Sequence, residues 1–331
     1  MSILGKIFQQ KNCRVRFNAA FAPSRKRISG EKYWRLALLW STFPLWVLGG
    51  GMRAESREPA MGITFLQGAR VPMNIPVIIM GAAGRMGQTL VRLVRADAGF
   101  TLAGVVEREE KLAEIVSSDC PAETNVATLL RRHPKAVIID FTAPASSLAT
   151  ARAAAQTGAA HVIGTTGFSD EDRAELARIA ATTPIFWSPN MSVGVNVLLK
   201  VLPELTRLLG LDYDVEMMEI HHNRKKDAPS GTALRLAECL AEAKNWNLAE
   251  SACYHREGII GERPVKEIGI QTLRGGDVVG VHTVYFMGPG ERIEVTHQAH
   301  SRENFANGAL RAVRWMHGRA PGKLYSMQDV L

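Results

Sequence analysis

Short apolar runs that alternate with helical segments between residues 76 and 187 constrain the fold of this chain more than any other feature. The first run, Pro76–Met80, has the continuous apolar character of a strand buried on both faces. A turn with the spacing G-x-x-G-x-x-G follows, and then apolar residues at helical spacing up to about Asp97. This order predicts a dinucleotide site, because glycines let a pyrophosphate approach a helix N-terminus closely; a turn that only packs is the alternative. The turn consists of Gly81, Ala82, Ala83, Gly84, Arg85, Met86 and Gly87.

An acidic and a basic residue follow the second predicted strand, Thr101–Val106. Glu107 lies 20 positions beyond Gly87, where an acidic residue is expected to bind the ribose hydroxyls of a dinucleotide. Arg108 can stack on adenine or bind a 2′-phosphate. The pair predicts that NADH and NADPH are both accepted, and a solvated strand end is the alternative for Glu107.

Three further predicted strands continue the alternation: Ala136–Asp140, His161–Ile163 and Pro184–Trp187, with helices over 146–157 and 170–181. Strands that alternate with helices predict an α/β fold with a Rossmann-type, doubly wound parallel sheet. Ligands bind such sheets beyond the carboxyl ends of the strands. We therefore predict that the residues after these strands form the nicotinamide side of the cofactor pocket rather than simple turns: Phe141, Thr142, Gly164, Thr165, Thr166, Ser188, Pro189, Asn190 and Met191.

The sequence pattern changes after Ser192. Residues Val193–Leu209 have the apolar periodicity of a helix, which Pro203 should kink, and a strand is predicted at Asp214–Ile220. Longer alternating segments at 266–273, 277–286 and 291–300 predict a mixed or antiparallel sheet. A second domain of the α+β class is therefore expected.

Residues 219–233, EIHHNRKKDAPSGTA, concentrate polar side chains between a strand and a helix predicted over Ala233–Lys244. The Ser230-Gly231-Thr232 segment opens this helix, and its hydroxyls and first-turn amides suit a carboxylate. Lys225 and a histidine add positive charge for a dianionic substrate, and a histidine that titrates near neutrality can donate a proton. A metal site is not indicated, because adjacent strand histidines point to opposite faces and no third ligand follows at a recurring spacing. Two alternatives apply to these residues taken one at a time. His221 and His222 are then ordinary histidines at the end of a sheet, and Arg224, Lys225 and Lys226 lie in a solvated loop.

The formal net charge of +8 arises at the start of the chain. Twelve of the 40 basic residues but only three of the 32 acidic residues lie within 1–72, which leaves residues 73–331 at a net charge of −1. A nucleic-acid interface needs basic residues on the folded domain, so the composition argues against one there. The four cysteines include no C-x-x-C pair, so we expect no disulfide framework and a reducing, cytoplasmic location.

Residues 1–72 form a basic and apolar extension with several possible interpretations. The apolar segment Leu36–Gly51 follows basic residues, as in a signal peptide. It is shorter than the roughly 20 residues of a spanning helix, contains Pro44 and lacks a clear cleavage site. Secretion, a membrane contact and a start codon placed too early are the alternatives, and we expect the functional protein to begin at Met73.

Five motifs together resemble the 4-hydroxy-tetrahydrodipicolinate reductase (dihydrodipicolinate reductase) family of bacterial lysine and diaminopimelate synthesis. They are GAAGRMG at 81–87, GTTGF at 164–168, SVGVN at 192–196, HHNRKKDAPSGTA at 221–233 and FANGA at 305–309. The resemblance covers essentially all of 73–331. It implies a homotetramer, with a dinucleotide-binding domain over 73–192 and 302–331 and a substrate-binding and oligomerisation domain over 193–301. By motif position, the implied proton donor is His221, its catalytic partner is Lys225, and the implied substrate contacts are His222, Gly231 and Thr232.

The resemblance implies that NADH or NADPH reduces a small cyclic dicarboxylate imine. Two features depart from the family pattern: the 72-residue extension has no counterpart, and Ser188-Pro189 replaces small apolar residues, where Pro189 cannot donate a backbone hydrogen bond. One alternative is another two-domain NAD(P)-dependent dehydrogenase of an aspartate-derived substrate. A cofactor-sensing protein without catalysis is the other, although it would not need His221 and Lys225.

Overall fold

The computed structural model describes residues 74–115 and 120–331. The predicted extension over 1–72, with its secretion and membrane alternatives, and the expected start at Met73 lie outside the described residues. Within the described part, no helix is both long and apolar enough to cross a bilayer.

Six parallel strands form the first sheet, in the order β3-β2-β1-β4-β5-β6. Their bounds are β1 Ile75–Met80, β2 Phe100–Val106, β3 Ala122–Glu123, β4 Val137–Asp140, β5 His161–Ile163 and β6 Ile185–Trp187. The strand order reverses between β1 and β4, which creates a crevice at the carboxyl ends of the strands. The predicted Rossmann-type sheet is confirmed, and the central strand β1 is buried on both faces because Val77, Ile78 and Ile79 have no exposed surface.

Helices cover both faces of the first sheet and one face of a second sheet. They are α1 Arg85–Ala96, α2 Glu109–Ile115, α3 Val126–Arg132, α4 Pro144–Thr157, α5 Asp170–Ala180, α6 Val193–Leu209, α7 Gly231–Ala243, α8 Leu248–Ser251, α9 Glu303–Met316 and α10 Met327–Val330. Ala309, Leu310 and Val313 of α9 share one apolar core with Leu90 of α1 and Ile79 of β1. The end of the chain therefore packs on the first sheet.

The second sheet has five strands in the order β11-β10-β7-β9-β8. Their bounds are β7 Asp214–His221, β8 Ala252–Cys253, β9 Ile268–Arg274, β10 Gly280–Gly288 and β11 Glu291–Ala299. β10 pairs antiparallel with β7 and β11, whereas β9 pairs parallel with β7 and β8, so the sheet is mixed. Met217 and Phe286 of the sheet pack against Leu236 and Leu240 of α7. The predicted second α+β unit is confirmed.

Several element boundaries differ from the sequence prediction. Between Val106 and Ala136 the pattern misses α2, β3 and α3, because each is too short to show a period. The helix predicted from Ser146 begins at Pro144, whose fixed φ suits the first helical position. The strand predicted from Asp277 begins at Gly280, after a turn in which Gly276 has a φ of +51°.

Candidate active site

The glycine turn between β1 and α1 has the geometry of an anion-binding loop. A Cβ at Gly87 would lie 2.2 Å from the carbonyl oxygen of Gly81, so only glycine lets the helix approach the turn this closely. Gly84 is the N-cap of α1, and no described side chain caps the helix start. Its first turn also contains no acidic residue. The first-turn amides and the positive end of the helix dipole are therefore available to a pyrophosphate.

Glu107 and Arg108 lie beside the glycine turn. The carboxylate of Glu107 accepts hydrogen bonds from the backbone N–H groups of Ala83 and Arg108, both at 3.0 Å, and its side chain is 8% exposed. Arg108 is exposed, and its Nη1 lies 3.1 Å from Oε1 of Glu110. Glu107 therefore stabilises the turn, while Arg108 lies at the surface beside Glu110, an acidic neighbour that the motif spacing does not predict.

The loops after β4 and β5 are packed together at the same edge of the sheet. The buried carboxylate of Asp140 accepts hydrogen bonds from the backbone N–H and the hydroxyl of Thr142, at 2.9 and 2.6 Å. A Cβ at Gly164 would lie 2.2 Å from the Phe141 ring, and one at Gly81 would lie 2.9 Å from the Thr142 methyl group. Thr142 therefore lies against the glycine turn, and three other predicted cofactor residues pack within the two loops beside it: Phe141, Gly164 and Thr165.

A cleft of about 980 Å³ joins the predicted nicotinamide side to the predicted substrate side. Asn190, from the loop after β6, donates a hydrogen bond through Nδ2 to the hydroxyl of Thr232 at the start of α7, at 3.0 Å. The predicted site residues that line the cleft are Thr166, Ser188, Pro189, Asn190, His221, His222, Lys225, Ser230, Gly231 and Thr232. The two predicted halves of the site therefore meet in one cavity.

Other predicted cofactor residues lie outside this cleft. The glycine turn, Glu107 and Thr142 follow the carboxyl ends of their strands, so an extended ligand can run along the sheet edge into the cleft. Met191 is 1% exposed and packs in the core of the first sheet. Its side chain is therefore turned away from a ligand in the cleft.

His221 ends β7 and lines the cleft. Its Nδ1 lies 2.5 Å from Oε2 of Glu219, and this carboxylate also accepts from both terminal nitrogens of Arg274, at 2.8 and 2.9 Å. Nδ1 must carry a proton to donate to the carboxylate, which leaves Nε2 for proton transfer. Burial lowers the pKa of His221 below its ordinary value, although the hydrogen bond and charge of Glu219 oppose this shift.

Lys225 and His222 supply further hydrogen-bond donors from the loop after β7. Nζ of Lys225 pairs with Oδ1 of Asp227 at 2.9 Å, and its side chain is mostly buried at 21% exposure. Nδ1 of His222 accepts a hydrogen bond from the backbone N–H of Arg224 at 3.2 Å, so its Nε2 remains a donor. This side of the cleft is well suited to an anionic ligand.

Ser230 is committed to the fold more fully than the sequence suggests. Its hydroxyl caps α7 by accepting from the N–H of Ala233 at 3.2 Å, and it also lies 3.1 Å from Nε2 of His282. Its own backbone N–H donates to Glu219 at 2.9 Å. The cap leaves the first-turn amides of Gly231 and Thr232 as donors for a carboxylate.

Sequence reasoning assigned no role to three residues of this site: Glu219, Arg274 and His282. The spacing of Glu219 and His221 was a usable signal, because residues two apart on a strand share a face. Arg274 lies 55 positions from Glu219, and His282 lies 52 positions from Ser230, so only strand register brings them into the site. Among the described residues, no group of three or more His, Cys, Asp or Glu side chains is arranged to hold a metal ion.

Two family models match nearly all of the described chain. The model for the N-terminus of dihydrodipicolinate reductase matches residues 75–191, and the model for its C-terminus matches residues 194–331. Together they span both sheets and every residue that lines the cleft with a predicted role.

Individual proteins of known sequence or structure agree with these models. The 4-hydroxy-tetrahydrodipicolinate reductase of Nitratidesulfovibrio vulgaris (strain DP4) is 65% identical over 258 residues, which are 78% of this chain and 100% of that protein. The reductase of Oleidesulfovibrio alaskensis is 64% identical over 259 residues, with the same coverage. A dipicolinate-bound dihydrodipicolinate reductase from Paenisporosarcina sp. TG-14 has a TM-score of 0.64 at 26% identity and covers 78% of this chain and 100% of its own. The family predicted from the motifs is confirmed, and the chain belongs to the dihydrodipicolinate reductase family.

Proposed function

We propose that this chain is an NAD(P)H-dependent oxidoreductase that reduces 4-hydroxy-tetrahydrodipicolinate to tetrahydrodipicolinate in lysine and diaminopimelate biosynthesis. One observation carries the proposal: a single cleft holds the cofactor-side loop 188–190 together with His221, Lys225 and the start of α7. Relatives at 64–65% identity are named for this reaction. The family, the fold and the cleft therefore support the same activity.

The residues at the edge of the first sheet fit a dinucleotide. The uncapped start of α1 and the close approach of Gly87 to Gly81 form a cradle for a pyrophosphate, and Glu107 lies beside it for the ribose. When bound, NADH or NADPH supplies the hydride for the reduction. The residues that we assign to its binding are Gly81, Ala82, Ala83, Gly84, Arg85, Met86, Gly87, Glu107, Arg108, Phe141, Thr142, Gly164, Thr165, Thr166, Ser188, Pro189 and Asn190; Met191, which packs in the core, is not among them.

We assign proton donation to His221, with Lys225 as its catalytic partner. Over the whole reaction the 4-hydroxyl group leaves as water together with a hydrogen from the neighbouring carbon, and the ring gains a hydride at C4 and a proton at that neighbouring carbon. Nε2 of His221 or Nζ of Lys225 supplies that proton, and the nearby cations offset negative charge that develops on the ring. General acid catalysis of this kind contributes about 10²–10⁴-fold to the rate.

The substrate carboxylates are assigned to the start of α7 and to the loop before it. Gly231 and Thr232 offer first-turn amides, and His222 offers Nε2. Ser230 contributes through the cap that holds this turn in place. The arrangement suits a small dicarboxylate, because the two amides and Nε2 of His222 are all hydrogen-bond donors.

We also propose a division of labour between two domains. Residues 73–192 and 302–331 bind the cofactor, and residues 193–301 bind substrate and form the subunit contacts. Leu273 and Met287 on the outward face of the second sheet are 43% and 38% exposed, and Ile259 in the loop after β8 is completely exposed. These residues leave apolar surface available for subunit contacts, and the homotetramer itself is what the family resemblance implies.

The location and further partners follow from composition. The near-neutral charge of 73–331 and the absence of a C-x-x-C pair support a cytoplasmic enzyme with no nucleic-acid partner. A membrane contact through residues 1–72 is the alternative, which fractionation of cells and sequencing of the mature N-terminus would test.

A continuous assay tests the proposed reaction. The purified full chain is mixed with freshly synthesised substrate and either NADH or NADPH, and the absorbance of the reduced cofactor is followed. We expect turnover with both cofactors. If cofactor oxidation occurs with neither, the proposal is wrong; oxidation of aspartate-derived substrates would then identify a rival dehydrogenase, and cofactor binding alone would identify a sensor.

Replacement of His221 by alanine should lower kcat by about 10²–10⁴-fold, because the general acid is lost. Cofactor affinity should stay unchanged, because the glycine turn is untouched. His255→Ala is the matched control, since His255 is an exposed histidine in the loop after β8. Near-normal turnover in the His221→Ala variant would contradict the assigned role.

A further inference from the structure

We propose that Glu219 is a positioning residue, which orients His221 and joins it to the anion-binding start of α7 as one buried unit. The inference rests on the proposed function, in which His221 donates a proton. Nothing in the motif pattern assigns a role to Glu219, and its carboxylate lies behind His221 rather than in contact with the substrate side of the cleft.

The carboxylate of Glu219 is the centre of a dense set of hydrogen bonds. The side chain is 1% exposed and accepts from Nδ1 of His221 at 2.5 Å and from both terminal nitrogens of Arg274. It also accepts from the backbone N–H of Ser230 at 2.9 Å and the hydroxyl of Thr272 at 3.3 Å. Because His221 and Ser230 share one carboxylate, their separation is fixed by a rigid group.

The same contacts determine which imidazole nitrogen is available. Nδ1 is held by Glu219, so Nε2 is the atom left for proton transfer. A Cβ at Gly280 would lie 3.0 Å from Nε2, so β10 offers the ring a surface without a side chain. Rotation of the ring would break the bond to Glu219, and the carboxylate therefore selects both tautomer and orientation.

The charges around His221 give Glu219 a second effect. The groups that face the imidazole are Glu219 on its own strand, Lys225 in the following loop, Arg274 on β9 and His282 on β10. Burial lowers the pKa of His282 to about 4, so this ring is neutral at neutral pH. Lys225 and Arg274 disfavour a protonated His221. Of these four groups, Glu219 alone supports the protonated form that a proton donor needs.

A purely structural role for Glu219 predicts different behaviour. In that case the carboxylate only neutralises Arg274, which also donates to the carbonyl oxygen of Asp227 at 2.7 Å. Removing either partner would then lower stability in the same direction. It would not move the titration of His221 in opposite directions.

Titration of the His221 imidazole by NMR in the full, unliganded chain separates these two roles. Glu219→Gln should lower the His221 midpoint by about one pH unit or more, because a contacting opposite charge is lost. Arg274→Gln should raise the midpoint, because a cation is lost while Glu219 stays. If Glu219→Gln does not fold, Glu219→Asp replaces it, because the shorter side chain keeps the charge but withdraws it from Nδ1 of His221: a lower midpoint supports the pairing, and an unchanged midpoint overturns it.

The pH dependence of kcat provides the second measurement. A proton donor is active in its protonated form, so activity is lost as the pH rises through the His221 pKa. Glu219→Gln should move this limb to lower pH and reduce kcat at neutral pH by about tenfold, because a one-unit fall in the pKa of His221 lowers its protonated fraction by that factor. Arg274→Gln should move it to higher pH. The Kd for NADH should stay unchanged in both variants.

Glu216→Gln is the matched control for Glu219→Gln. Glu216 lies on the same strand and, like Glu219, pairs with arginine, in its case with Arg256 and Arg263, but its carboxylate is not the one that contacts His221. We expect its variant to leave the His221 midpoint at the wild-type value. An unchanged midpoint in Glu219→Gln, or equal shifts in the Glu216 and Glu219 variants, would overturn the proposal. A wild-type chain without reductase activity would instead contradict the proposed function, and the titrations would still decide the pairing.

Discussion

The cofactor side and the substrate side of this molecule recognise anions in different ways. The glycine turn offers backbone amides at the uncapped start of α1, and its shape depends on the missing side chains of Gly81 and Gly87. The substrate side also opens a helix, α7, but surrounds it with ionisable side chains that include His221 and Lys225. Two helix starts of similar geometry are thus placed in very different electrostatic surroundings.

This difference predicts how the effect of a substitution in each region depends on pH. A substitution in the glycine turn acts by steric overlap, so its effect should be nearly independent of pH. A substitution around His221 alters charge in a buried setting, so its effect should depend strongly on pH. Hydride supply needs only a fixed position for the cofactor, whereas proton donation also needs a controlled protonation state.

Gly87→Ala should disrupt the cofactor side and have a larger effect than either Asn190→Ala or Glu110→Gln. The added Cβ would lie 2.2 Å from the Gly81 carbonyl oxygen and 2.6 Å from Cα of Ala82, and backbone cannot move aside as a flexible side chain can. Overpacking of this kind costs about 1–3 kcal/mol. When this free energy is lost from the NADH-bound conformation of the turn, NADH binds roughly 10–100-fold more weakly. Isothermal titration calorimetry measures the change in Kd.

The control for Gly87→Ala is Gly275→Ala, because nothing lies within 4 Å of a Cβ built at Gly275. We expect its NADH affinity to match that of the wild type. The loss in Gly87→Ala should be the same at acid and neutral pH. An unchanged affinity, or a loss that varies with pH, would contradict the steric account of the turn.

The sequence predicts the cofactor side well because its signals are local. The glycine spacing, the buried strand before it and Glu107 all lie within one strand–helix–strand unit. The substrate side is predicted less completely, because its network is assembled by the register of a mixed sheet. His221 lies opposite Arg274 only because β7 pairs in parallel with β9, and residue spacing does not predict that pairing.

The contact between the two sides lies beyond sequence reasoning for the same reason. Asn190 and Thr232 are 42 positions apart. Asn190 follows β6 of the first sheet, whereas Thr232 lies at the start of α7, which packs on the second sheet. Both residues were predicted to lie in the site, each from its own motif. Their hydrogen bond depends on how the first sheet packs relative to the second, and neither motif predicts that packing.

Asn190→Ala tests whether this contact couples the two sides. The variant removes the hydrogen bond from Nδ2 to the Thr232 hydroxyl and the acceptor Oδ1 that binds the N–H of Ser192. Each net hydrogen bond is worth about 0.5–1.5 kcal/mol, so kcat/KM for the substrate should fall by roughly tenfold. Steady-state kinetics at saturating NADH measure the change.

A double-mutant cycle with Thr232→Val isolates the shared bond. If Asn190 acts on the substrate side through Thr232, the double variant should lose less than the sum of the two single losses. Simple additivity would mean that Asn190 acts through Ser192 or the cofactor instead. The two sides would then be neighbours without energetic coupling.

Glu110→Gln has the smallest expected effect and sharpens the comparison at the adenosine end of the cofactor side. Arg108 is the predicted contact there for a 2′-phosphate, and Glu110 competes for its guanidinium at 3.1 Å. The ion pair is exposed, so releasing Arg108 from Glu110 should strengthen NADPH binding by only about two- to threefold. NADH binding should stay unchanged, because NADH has no 2′-phosphate. Glu109→Gln makes the same change in net charge one position away. Calorimetric titrations should show the gain for NADPH in the Glu110 variant alone and its disappearance at high salt; equal gains in both variants would assign the effect to net charge rather than to the freed guanidinium.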